Sequence, residues 1–119
     1  MKVYLFSFLV FVGTLSVFAQ QKSADLPLKE TLYSKHRKEV LAFSKKEYDA
    51  LFFEFFQKQN DHKTLLTKEE YYTYTIKIAI YAEKLGLLYK DQKNEALHTK
   101  QQWFDKNYED YLNSKNTTH

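Results

Sequence analysis

Apolar and polar positions follow a helical period along most of the chain, and two stretches share one starting pattern. Phe43-Ser44-Lys45-Lys46-Glu47-Tyr48 and Leu66-Thr67-Lys68-Glu69-Glu70-Tyr71 each set an apolar residue, a hydroxyl residue, two polar residues, a glutamate and a tyrosine in order. Ser44 and Thr67 are the hydroxyl caps, Glu47 and Glu70 stand three residues on to reach back, and the flanking apolar pairs form staples. Helices are therefore expected to start at residues 45 and 68. The first of them should run to about residue 59, carrying Tyr48, Leu51, Phe52, Phe55 and Phe56 with Phe53 beyond the edge of that face. At 100° per residue this apolar arc covers roughly 200°, about twice what one helix interface needs.

The helix from Lys68 keeps Tyr71, Thr75, Ile78, Ala82, Leu85 and Tyr89 on one face and Tyr72, Ile76, Ala79, Ile80 and Leu87 on an adjoining one. Its register runs through Gly86, at a cost of about 1 kcal/mol relative to alanine; the alternative is that Gly86 ends it. An earlier helix is expected over 27–43, with Pro27 in the first turn and Leu28, Leu32, Val40 and Phe43 inward. A last one should run from an Asn94 cap to Asn113, with Leu97, Gln101, Phe104, Tyr108 and Tyr111 as its inner stripe and Trp103 on the edge. Short connections favour antiparallel neighbours, so the expected fold is all-α: an up-down helical bundle of about four helices over 27–113.

The N-terminal pattern differs. Lys2 is the only charge before Lys22, the run between is apolar for about 16 residues, and Val17 and Ala19 stand at the −3 and −1 positions of a cleavage site. The run is shorter than the ~20 residues of a spanning helix. Residues 1–19 thus read as a secretory signal peptide, with an uncleaved anchor as the competing reading. The ending Phe-Ala-Gln-Gln resembles cleavage regions of secreted proteins of Bacteroidota. Residues 20–26 would form a flexible leader and 114–119 a polar tail. The expected chain is exported, periplasmic or extracellular, without a stable membrane anchor after cleavage.

Composition narrows the chemistry. With Gly 2, Pro 1 and Cys 0 there is no glycine-rich phosphate cradle, no disulfide and no thiolate site. Removing residues 1–19 leaves 100 residues with 17 Lys and Arg against 15 Asp and Glu, and the aromatics lie on core registers. A nucleic-acid partner is not expected. Glu95-Ala96-Leu97-His98 has the Glu-x-x-His spacing of di-iron bundles, but His36 and Glu39 form the only other close pair, in reverse order. Glu95 and His98 point about 120° away from the inner stripe, so they are expected in solvent. No cofactor, metal or catalytic residue is expected. Glu54, set between two phenylalanine pairs, should project from a narrow polar strip.

Leu66-Thr67-Lys68-Glu69-Glu70 is similar to the Leu-Thr-x-x-Gln motif of small helical periplasmic stress chaperones, with Glu70 in place of Gln; that resemblance implies a cradle-like dimer shielding unfolded clients. Leu85-Gly86-Leu87-Leu88-Tyr89 with Asn94 and Ala96 resembles one tetratricopeptide repeat, two residues short and without a second copy. Neither stretch identifies a family.

The excess apolar arc is the informative feature. Either the two middle helices are central and touch two neighbours each, or Phe53, Phe56, Ile76, Ile80 and Leu87 form an exposed patch for a partner. The expected function is a non-catalytic binder of another protein, of chaperone, inhibitor or immunity type, or one that associates with itself. The alternatives are a small metal-dependent enzyme using Glu95 and His98, and a structural homo-oligomeric bundle.

Overall fold

A computed structural model describes residues 24–117; the expected signal peptide 1–19, the start of the expected leader and the last two residues lie outside them. The described chain is all-helical, with α1 Leu26–Leu41, α2 Lys45–Asn60, α3 Lys68–Leu88, a 3-10 turn Lys90–Gln92, α4 Lys93–Phe104 and α5 Tyr108–Thr117. Both capping boxes form. Ser44 Oγ accepts from Glu47 N at 3.2 Å while Ser44 N donates to Glu47 Oε1 at 3.0 Å; Thr67 and Glu70 do the same at 3.1 and 2.9 Å. Each cap satisfies donors that the first helical turn leaves unpaired, an effect of about 1 kcal/mol.

α3 is the hub against which the other helices pack. Tyr72, Thr75, Ile76, Ile78, Ala79 and Ile80 are almost completely buried along it. Tyr48 stacks on Tyr81 at 4.0 Å and Phe55 meets Tyr74 at 5.4 Å, so α2 runs antiparallel to α3. α1 runs in the same sense as α3: Asp25 bonds Lys68 and Tyr72 at one end, and Lys84 donates to the Phe43 carbonyl at the other. α4 returns antiparallel, because Ala96 sits beside Gly86 and Lys100 beside Glu83.

α3 continues through Gly86 to Leu88 with no left-handed backbone. The glycine serves close approach instead. A Cβ there would lie 3.0 Å from the Ala96 Cβ, so its absence lets α4 settle against α3. That closeness turns the face of α4. Ala96 is buried and Leu97, expected inside, is exposed.

The single helix expected over 94–113 is two helices. Gln92, without a side-chain bond, stands at the cap in place of Asn94. α4 stops at Phe104, where Asp105 N donates back to Gln101 O, and Asn107 Oδ1 accepts from Glu109 N at 2.8 Å to start α5. Trp103 meets Phe52 and Phe55 of α2 and Phe104 meets Tyr33 of α1, while beyond the break Tyr108 and Tyr111 meet Tyr71 at the start of α3. The expected polar tail is helical to Thr117, and Lys115 Nζ donates to the carbonyls of Lys58 and Asp61 at the end of α2. The leader is likewise part of the fold at its end, since Asp25 is buried and α1 begins at Leu26.

Candidate functional site: an aromatic face on helix α2

The capping box at Ser44 fixes the phase of α2 and so decides which aromatics face α3. Leu51 and Phe55 are buried. Phe55 touches Tyr71 at 6.0 Å and Trp103 edge-on at 6.0 Å. Phe52 is half-buried, with its ring 5.9 Å from Trp103 and 4.9 Å from Phe56. From there the aromatic series runs into solvent. Phe56 is 45% exposed and Phe53 64% exposed. Lys106 lies over the Trp103 ring at 5.0 Å and borders the series.

Ile76 and Ile80 do not belong to this face. Both are 0% exposed, because α3 is wrapped by its neighbours, and the expectation of an exposed role for them is corrected. Leu87 is exposed at the far end of α3, beyond the first turn of α2, and is not part of the Phe53 surface. The wide arcs of the two middle helices therefore have different causes: that of α3 is core, and that of α2 is partly open.

Polar groups beside the face are paired. Glu54 accepts from the Tyr74 hydroxyl at 2.9 Å, pairs with Lys58 at 3.4 Å and stays exposed on the polar strip. Burial pushes the Tyr74 phenol upward. A cleft of about 430 Å³ lies alongside, lined by Leu51, Glu54, Thr67, Glu70 and Lys77 among others.

A second cleft, of about 470 Å³, opens between α1 and α4 and is lined by Glu30, Tyr33, Ser34, Lys100, Gln101 and Phe104. At its side Tyr33 donates to Glu83, Lys100 Nζ donates to the Tyr33 hydroxyl at 3.1 Å, and Arg37 reaches Glu83 at 3.4 Å. Burial works to raise the Glu83 carboxyl, but Tyr33 and the Lys100 and Arg37 charges outweigh it and hold the carboxyl low. A carboxylate held ionised by three partners is a poor proton donor, and this group joins three helices.

Sequence reasoning missed a buried polar knot. The Tyr72 hydroxyl donates to Asp25 Oδ2 at 2.6 Å and accepts from Tyr108 N at 2.9 Å. Lys68 donates to Asp25 Oδ1 at 2.9 Å, and Lys29 Nζ donates to Phe104 O at 2.8 Å, above the Tyr72 ring. Burial opposes the Asp25 charge, yet the bonds from Tyr72 and Lys68 prevail and lower its pKa; burial also lowers that of Lys29. Tyr71, stacked on Tyr111 at 4.8 Å, is pushed up to about 12 by burial. The one sequence signal for the knot was Asp25 before Pro27, which read as leader.

Glu95 and His98 are exposed, and His36 lies 3.2 Å from Glu39, which also pairs with Lys77 at 3.4 Å. Among the described residues no group of three His, Asp or Glu side chains could hold a metal ion, and no helix is long and apolar enough to cross a membrane. Comparison with known proteins gives no matching family model, no significantly similar curated protein and no significantly similar solved structure.

Proposed function

We propose that this chain is an exported, non-catalytic helical protein, built as an up-down bundle after removal of residues 1–19, that binds another protein through the aromatic face of α2. The observation that carries the reading is the exposure of Phe53 and Phe56 next to the half-buried Phe52 and Trp103. Burying one exposed phenylalanine under a partner contributes about 1.5–3 kcal/mol, and large aromatics dominate interface hot spots. A rigid helix presents these rings at little ordering cost.

The test is affinity capture from envelope extract with the exported chain immobilised, beside Phe53→Lys. The reading expects one protein held stoichiometrically by the wild type and lost by a variant of unchanged helical content. Equal capture by both forms, or none by either, overturns it. A heterogeneous set of unfolded proteins would place the activity with chaperones.

A further inference from the structure

Three consecutive large side chains stand in solvent where α3 gives way to the 3-10 turn: Leu87 at 63%, Leu88 at 61% and Tyr89 at 53% exposure. Leu97 is exposed on α4 near them. Residues 83 and 87 share a face of α3, residues 97 and 100 share one of α4, and the Glu83–Lys100 pair joins those faces. α1 covers the junction through Tyr33 and Arg37 and ends at Leu41, short of Leu87 and Leu97. At the opposite end Leu65 is also exposed, but Leu66 beside it is buried.

Charge is distributed along the same axis. The pairs Tyr48–Tyr81 and Phe55–Tyr74 set residue 52 level with residue 77, and Gly86 against Ala96 sets α4 beside the last turns of α3. The half nearer Leu88 consists of residues 34–52 and 77–104 and holds ten Lys and Arg against six Asp and Glu, a net +4. Residues 24–33, 53–76 and 105–117 hold six against nine, a net −3. Asp91 and Glu95 are the acids of the apolar tip itself. They offset Lys90 and Lys93 there, so the excess comes from the rest of this half, including Lys38, Lys45, Lys46 and Lys84 around the neighbouring α1–α2 turn. Among the described residues the exposed leucines thus stand in the net positive half, and the other half is net negative.

We propose that this end docks on an anionic lipid bilayer, with Leu87, Leu88 and Tyr89 entering the headgroup region and Lys90 and Lys93 lying against lipid phosphates. The field of an asymmetric charge distribution orients a protein before contact, here with the leucines leading. Leucine gains by leaving water, tyrosine suits the boundary between chain and headgroup, and each lysine adds attraction that salt screens. Attachment of this kind is shallow and reversible. The surface is separate from the α2 face and does not depend on it.

The experiment is flotation of the exported chain, its N terminus read by intact mass, with phosphatidylcholine vesicles containing or lacking phosphatidylglycerol. All variants share that N terminus, so any contribution from the first residues cancels. The expected result is flotation with phosphatidylglycerol only, abolished by Leu87→Ser/Leu88→Ser and weakened about tenfold or more by Lys90→Glu/Lys93→Glu or by high salt. These positions are exposed, and unchanged helical content confirms the fold. Phe53→Lys should float like the wild type, which separates this proposal from the α2 reading. Absence of flotation, equal flotation without phosphatidylglycerol, flotation that survives loss of the leucines, or flotation lost in Phe53→Lys overturns it. So does capture of an acidic protein at these leucines by a chain that ignores vesicles.

Discussion

The Tyr72 hydroxyl joins residues far apart in the chain: it donates to Asp25 Oδ2 at 2.6 Å and accepts from Tyr108 N. One phenol thereby ties the start of α1 to the turn between α4 and α5. Asp25 contributes as a carboxylate, and its pKa is lowered in the folded state. The stabilisation is therefore complete above the unfolded value of about 3.9 and is lost as pH falls through the lower, folded value. Asp25→Ala should cost about 1–3 kcal/mol near neutral pH, because the Tyr72 donor loses its acceptor. Urea titrations from pH 7 down to pH 2 should show this difference shrinking at the acid end.

Tyr111 predicts a second loss from a single atom. Its hydroxyl accepts from the buried N–H of Leu66 at 2.9 Å, just ahead of the α3 cap. Tyr111→Phe keeps the ring stack with Tyr71 and orphans that donor, so it should cost about 1–3 kcal/mol. Amide exchange at Leu66 should quicken by more than exchange at Ile78.

Gly86 and Ala96 should behave as a coupled pair. Alanine at 86 gains about 1 kcal/mol of helix propensity but meets the Ala96 Cβ at 3.0 Å. Gly86→Val should be destabilising by about 1–3 kcal/mol through overpacking. Adding Ala96→Gly to Gly86→Ala should recover part of what the close contact removes. A denaturation cycle over the four combinations reads the coupling directly.

Phe53 and Ile76 separate surface from core within one neighbourhood. Phe53→Lys should change stability by only about ±0.5 kcal/mol. Ile76→Ala should cost about 2–5 kcal/mol, since Ile76 is completely buried. Chemical denaturation of both variants checks the assignment; a large loss in Phe53→Lys would return Phe53 to the core.

Much of the architecture could be read from local chemistry. The Ser44–Glu47 and Thr67–Glu70 boxes act within four residues, so the starts of α2 and α3 were legible. The passage of α3 through Gly86 followed from unbroken register. Long-range matters were not legible. Periodicity says that Ile76 and Phe53 are apolar, but only the number of neighbours around each helix says which is covered. The break at 105–107 had a local signal in Asn107 followed by Glu109 and Asp110, masked by a stripe that continues in phase across it. Leu97 was misplaced because the approach at Gly86 rotates α4 toward Ala96. Asp25 looked like leader because its partners lie more than forty residues away in sequence.

The position of α3 as hub has a consequence for the order of folding. Every substantial approach between helix backbones involves α3, while α1 and α2 make no comparable contact with each other. Residues 24–67 thus carry two helices with nothing to condense on, and isolated helices of 16 residues are marginal in water. A chain ending before Lys68 should remain largely unfolded, as circular dichroism of the truncated form would show. Collapse waits until the 21 residues of α3 are available, which leaves residues 24–67 without a core and unaggregated only for as long as something else keeps them so.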